Sequence, residues 1–343
     1  VVPGGSLRFP RDHGAHPEFR TEWWYITGSL YGAESAVVEP ESTPQFGFQI
    51  TFFRSRVDTV GVNPSRFAAR QLLFAHAAIT DLRASKLLHA NRIARAGFGL
   101  AESSEADTRV HIRDWRLLRE DVGRASSYRL QAADRDFSFS LTATTESAPL
   151  LQGDAGYSRK GPKPQQASYY YSQPQLQVRG ELRSNTQTQR VLGTAWLDHE
   201  WSEEILDTHA VGWDWIGMNL LDGSALTAFR LRRADGSSLW AGGSVRMSQG
   251  ASRSFTADEV QFEPLRVWVS PATQAKYPVE WRVRCPAGEF TVKALLDNQE
   301  LDSRVSTGTL YWEGISELRD MQGRLLGRGY LEMTGYAERL RLQ

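Results

Sequence analysis

Apolar and polar residues alternate along most of this chain. Phe46, Phe48, Ile50 and Phe52 are separated by Gly47, Gln49 and Thr51, the period of a strand with one buried face. Tyr128, Leu130 and Ala132 form a second run of this kind, and Phe137, Phe139 and Leu141 a third, joined by a short polar loop at 133–136. Leu176, Val178, Gly180 and Leu182 form a fourth, closed by Ser184-Asn185. The run 213–221 meets Asp222-Gly223, and the run 227–233 meets Asp235-Gly236. Asp-Gly between apolar runs predicts a hairpin, because both turn residues accept positive φ. Val279, Trp281 and Val283 face Phe290, Val292 and Ala294 across Pro286-Ala287-Gly288, and a closing strand runs over 330–336.

Helical periodicity is scarce; residues 64–74 predict one short helix entering a strand. Many strands, hairpin turns at short intervals and almost no helix imply antiparallel barrels or sandwiches. A chain of 343 residues is long for one core and suits two domains. Two barrels are therefore expected. The segment 153–168, rich in Gly, Pro, Lys and Gln, reads as an exposed loop. The boundary is placed slightly later, within 184–189, so the expected domains are 1–186 and 187–343.

Composition narrows the function classes. Lys plus Arg and Asp plus Glu are 40 each, giving a formal net charge of +0, and no dense basic run exists to hold a polyanion. A nucleic-acid partner is not expected. Cys285 is the only cysteine, which excludes an intrachain disulfide and a thiolate metal site. No apolar stretch approaches the ~18 residues of a membrane span, so an integral membrane protein is not expected either. The chain opens Val1-Val2-Pro3-Gly4-Gly5 without a charged n-region or apolar h-region. The expectation is a cytosolic protein or one whose leader has been removed.

Four segments mix titratable and aromatic residues inside strand-like runs. They are Phe9 to Tyr25, with His13, His16, Glu22, Trp23 and Trp24; Phe74 to Asp81, with His76; Gly193 to Trp201; and Gly212 to Ile216. In the last, Asp214 shares a strand face with Ile216, Met218 and Leu220, while Trp213 and Trp215 take the other. A carboxyl on an apolar face must be paired or carry a raised pKa. The second state suits a general acid at neutral pH; a structural bond to backbone or an Arg is the alternative. In the third segment Trp196, Asp198 and Glu200 share one face, with Leu197, His199 and Trp201 on the other. Asp198 and His199 are candidates for an orienter and base pair, a solvated strand end being the alternative. His76 lies with Leu72, Phe74 and Ala78, where a hydrogen-bonded core role competes with a functional one. The Trp23-Trp24-Tyr25 run puts large rings on both faces, so at least one is expected to line a cavity or a seam.

Two metal sets are conceivable, His13 and His16 with Glu22, or His199 with Glu200 and His209. Neither has the H-E-x-x-H helical spacing, and no metal or other cofactor is expected. No Ser has Gly at both −2 and +2, so a nucleophile elbow is absent.

The runs "FPRDHGAHPEFRTEWWYITGSL", "FAHAAITD", "YYYSQPQLQVRGEL", "GTAWLDHEWS", "GWDWIGMNLLDG", "YWEG" and "GRGYLEMTGYAE" together resemble the AttH-like secreted proteins, relatives of the carotenoid 1,2-hydratases. The resemblance extends from Phe9 to about Glu338. It implies two lipocalin-like, calycin-type barrels packed together, export to the periplasm or beyond, and a lipophilic partner. A hydratase relative implies a hydro-lyase that protonates an isolated alkene with a carboxylic acid and captures a tertiary cation. Asp198 or Asp214 would then donate the proton, Trp196, Trp213 or Trp215 stabilise the cation through its ring, and His199 or Glu200 position water. Glu22, Trp23, Trp24, Tyr25 and His76 complete the expected ligand-binding set. The AttH-like branch is also commonly labelled a predicted secreted hydrolase, which these residues do not independently support. The alternatives are a non-catalytic lipid carrier or chaperone serving an envelope ABC-type transport system, and a metal-dependent hydrolase.

Overall fold

The computed structural model describes residues 1–33, 42–57, 65, 68–204, 206–306 and 308–340. Sheet A takes β1 (Thr21–Gly32), β2 (Phe46–Arg56), β3 (Gln71–Asp81), β4 (Lys86–Arg95), β5 (Ala101–Ser103), β6 (Arg109–Ile112) and β7 (Trp115–Val122). It continues through β8 (Ala125–Ala133), β9 (Phe137–Thr145), β10 (Leu150–Leu151), β11 (Tyr157–Arg159), β12 (Ala167–Ser184) and β13 (Gln187–Glu204). Sheet B takes β14 (Ala210–Leu220), β15 (Ala225–Arg233), β16 (Ser238–Arg246), β17 (Ser252–Phe255) and β18 (Gln261–Val269). Its remaining strands are β19 (Lys276–Cys285), β20 (Gly288–Ala294), β21 (Glu300–Ser303), β22 (Thr309–Arg319) and β23 (Leu325–Thr334).

The hairpins form where the alternation and the turn residues place them, including those at 133–136, Asp222-Gly223 and Asp235-Gly236. Of the expected helix at 64–74, residues 64, 66 and 67 lie outside the described residues, and Gln71 to Phe74 are strand. Residue 186 sits in the turn between β12 and β13, residue 187 opens β13, and the chain changes sheet between Glu204 and Ala210.

The expectation of two barrels is corrected. Sheet A is one nearly closed antiparallel barrel, eleven strands along the path β4-β3-β2-β1-β13-β12-β9-β8-β7-β6-β5. Sheet B runs β17-β16-β15-β14-β23-β22-β20-β19-β18 and is open, its end strands β17 and β18 unpaired with each other. Alternation and hairpin turns are the same in an open sheet and a closed one. Closure depends on which distant edges meet, and that is not written in any local pattern.

Phe48, Ile50, Phe52, Leu117, Leu130 and Leu141 fill the barrel, while Ile216, Met218, Trp281, Val292 and Trp312 form the core of sheet B. A third cluster lies between the sheets, with Tyr25, Trp196, Trp215, Phe229, Ile315 and Tyr330. β1 is consequently buried on both faces from Trp24 to Leu30, which is why large aromatics appear on both. A Cβ on Gly47 would come within 2.6 Å of the Tyr330 hydroxyl and 2.9 Å of Ile315 Cβ. Only glycine allows the two sheets this approach. Asn219 Nδ2 donates to the Ala195 carbonyl at 3.0 Å, and Thr80 Oγ1 to Gln299 Oε1 at 2.9 Å.

The segment 153–168 is not the exposed loop its composition predicts. Tyr157, Ser158, Lys160 and Gln166 are buried. Sheet B clamps it through Trp240 Nε1 on the Arg159 carbonyl (2.9 Å), and Gln166 Nε2 reaches Asp207 in the inter-sheet connection (2.7 Å).

Candidate active site at the seam between the sheets

Strand register assembles the site. β13 lies between β1 and β12, with Asp198 opposite Tyr25 and Ser172, and Glu200 opposite Trp23 and Tyr170. The alternation along β13 points Asp198 and Glu200 toward sheet B and sends Leu197, His199 and Trp201 into the barrel. Sheet B answers with Trp213 and Trp215 of β14, Phe229 and Leu231 of β15, Glu313 of β22 and Glu332 of β23. Glu332 lies opposite Trp215 on one side and Glu313 on the other. The resulting cleft encloses about 840 Å³ with its open mouth included.

Its electrostatics are set by burial. Asp198 accepts from Tyr170 Oη (2.7 Å), Ser172 Oγ (2.5 Å) and Trp196 Nε1 (2.7 Å). Burial nevertheless pushes its carboxyl up to about 7, against those three donors and helped by the charge of Glu200. Burial likewise raises Glu313 to about 7. Glu332 is raised well above the carboxylate range by burial and then by Glu313, although Trp213 Nε1 donates to it at 2.8 Å. Glu200 differs: Lys160 Nζ lies 2.9 Å away and Ser168 donates to it. Lys160 in turn sits over the rings of Tyr170 and Phe229, at 4.6 and 4.3 Å from their centroids.

Of the residues singled out in the sequence, Trp23, Tyr25, Asp198, Glu200, Trp213 and Trp215 line this cleft. Trp196 is packed behind it, edge-on to Trp215 at 6.2 Å. His76 is buried at the edge of the seam, 2.9 Å from Ser306 Oγ and near the rings of Phe53 and Tyr311, with burial lowering it to about 3. Asp214 lies on the opposite face of β14 from the cleft. It is buried against Arg230 Nε (2.7 Å), Arg232 (2.8 Å) and Tyr336 Oη (2.8 Å), the structural bond of the two readings offered above.

Glu22, Trp24 and His199 belong to the barrel interior. Glu22 Oε1 lies 2.8 Å from His16 Nδ1 and 2.9 Å from His199 Nε2, and Glu22 Oε2 takes Arg54 Nε at 2.7 Å. Trp201 stacks on His16 at 3.8 Å and Trp24 on His199 at 4.6 Å. Burial lowers His199 to about 4, Glu22 opposing, so its imidazole is neutral at pH 7. Burial would raise Glu22, but hydrogen bonds from His16 and His199 outweigh it and hold it well below the carboxylate range. His16 and Glu22 of the first metal set considered above come together with His199 of the second, their ligand atoms within 4.8 Å of one another, a group able to hold a metal ion. Arg54 already places a positive charge on the same carboxylate, with which a cation would compete. His209 is far more exposed and bonds Asp207.

Lys160, Tyr170, Glu313 and Glu332 escaped the sequence reading. Lys160 was hidden in a loop-like composition. Glu313 and Glu332 carried a visible signal, since each shares a strand face with apolar neighbours, Tyr311 and Ile315 in one case and Tyr330 in the other.

An antiparallel barrel with an aromatic, carboxyl-lined cleft against a second sheet defines a calycin-like binding protein. Comparison with known proteins then places it. The AttH-like family model matches residues 1–336. The chain belongs to the AttH-like family. A solved AttH protein of Nitrosomonas europaea is 47% identical, with a TM-score of 0.87, covering 98% of this chain and 99% of that one. A kievitone hydratase from Nectria haematococca shares the fold at 13% identity and TM-score 0.70, over 98% of this chain and 94% of that one. CghA, solved with Sch210972, does so at 13% and 0.54, over 92% and 88%. No curated protein sequence matches the chain. Among the described residues no helix is long and apolar enough to cross a membrane.

Proposed function

We propose that the seam cleft binds a lipophilic, isoprenoid or acyl, ligand and that Asp198 acts on it as a general acid without a cofactor. Family membership and the barrel support an AttH-like, lipid-binding role in general. The observation that carries the chemistry is a carboxyl group walled by Trp23, Trp213 and Trp215 and raised by burial to about 7. Such a group is part protonated at neutral pH and can deliver a proton to carbon. In hydration the Asp198 O–H bond breaks and a C–H bond forms on the less substituted alkene carbon, leaving a carboxylate and a tertiary cation. Water then bonds to the cation and passes its proton to a cleft carboxylate, so alkene and water become alcohol. The tryptophan rings face the transient positive charge, and Glu200 is the residue placed to orient water. His199, on the barrel side of β13, holds Glu22 rather than water. A hydratase that shares the fold, kievitone hydratase, agrees with this reaction class. The family resemblance further supports an extracytoplasmic location, with an envelope transport system as a partner.

Mass spectrometry of an isoprenoid bearing a terminal trisubstituted alkene, incubated in ¹⁸O-water, tests the reading. The expected result is a labelled alcohol with the native protein and none with Asp198→Asn of unchanged near-UV circular dichroism. Equal binding by both proteins with no conversion by either would replace the enzyme with a carrier.

A further inference from the structure

The polar groups of the cleft are unequal in sign. Asp198, Glu200, Glu313 and Glu332 converge on it, and Lys160 is the one cationic side chain among its described lining residues. Lys160 is already matched to Glu200 at 2.9 Å. Three carboxyl groups from two sheets therefore remain without a basic partner in the cleft, set among the rings of Trp23, Trp213 and Trp215. A second observation points to a polar ligand. The Tyr25 hydroxyl, on a residue 5% exposed that lines the cleft, has no hydrogen-bond partner among the described residues. An unmet buried hydroxyl costs free energy unless a ligand supplies its partner.

We propose that the cleft selects amphiphiles whose polar end is positively charged, a primary alkylammonium being the simplest, and rejects carboxylates. The inference rests on the lipophilic reading of the cleft and narrows it, since free fatty acids are excluded as anions. An ammonium group donates to the Tyr25 oxygen and to Glu313 or Glu332, and its charge is held by the aromatic faces. Its arrival favours the ionised forms of these carboxyl groups, opposing the burial and, for Glu332, the neighbouring Glu313 that push them toward protonation. A carboxylate in the same place meets the like charge of whichever of these carboxyl groups is ionised and has no cation free to pair with it, since Lys160 is already matched to Glu200. The positive charge formed on protonating an alkene would occupy the same surroundings, so an alkylammonium also mimics the cation of the proposed reaction.

Titration of the full chain with octylammonium, 1-octanol and octanoate at pH 7, followed by tryptophan fluorescence, tests this. Octylammonium is expected to bind about tenfold or more tighter than octanoate, with 1-octanol between them, and Glu313→Gln should narrow that spread. Binding of 1-octanol or octanoate as tight as that of octylammonium overturns the charge preference and leaves the lipophilic cleft standing. Failure of all three to bind overturns both.

Discussion

Three donors converge on Asp198, which would ordinarily hold a carboxyl down, yet it stands near 7. Removal from water outweighs them because all three are neutral and each is worth less than the hydration it replaces. Stability should record this. Below about pH 4 the group is protonated whether the chain is folded or not and contributes nothing. Between about 4 and 7 the unfolded chain gives up the proton first, so stability falls as pH rises. Above 7 the rise from 3.8 to about 7 costs on the order of 4 kcal/mol. Glu313 acts in the same direction. Urea denaturation at pH 5 and pH 8 should therefore show a smaller loss for Asp198→Asn than for the native protein; parallel behaviour of the two would mean the carboxyl is ionised in the cleft. Legibility at this scale was uneven. The titratable cluster between Trp196 and Trp201 was visible, but Lys160 was not, because a Gly- and Pro-rich composition describes a loop's chain, not what covers it.

Along single strands the period of two decided most of what the site needed. It separated Asp198 and Glu200 from His199, and Trp213 and Trp215 from Asp214, and the structure keeps both separations. It could not tell which face met water, which met the barrel interior and which met the other sheet. Asp214 shows the consequence. Its carboxylate joins β14 to β15 through Arg230, its cross-strand neighbour, and through Arg232. Substituting Asp214→Asn leaves two buried guanidinium groups short of charge and should destabilise the fold by roughly 3–5 kcal/mol. Urea titration checks this, and a loss below about 1 kcal/mol would show that the three groups behave as a solvated surface set.

For the molecule as a whole, the cleft exists only because two sheets meet face to face over Tyr25, Trp215, Ile315 and Tyr330. Gly47 is where they come closest. A leucine there has no room against the Tyr330 hydroxyl and Ile315, so Gly47→Leu should cost roughly 1–3 kcal/mol and widen the seam. Reduced thermal stability together with weaker binding of 1-octanol is the expected result. Unchanged values for both would show that the sheets part without consequence.

Strand positions, most turns, the division of each strand into two faces and the family are all carried by the chain itself, since each depends on neighbours one to four residues apart or on long runs of residue identity. Whether a sheet closes, which buried carboxyl finds an arginine and which finds only neutral partners depend on contacts up to about three hundred residues away, as between Tyr31 and Arg328. Those encounters belong to packing, and with them the single barrel, the seam and the raised carboxyl groups within it.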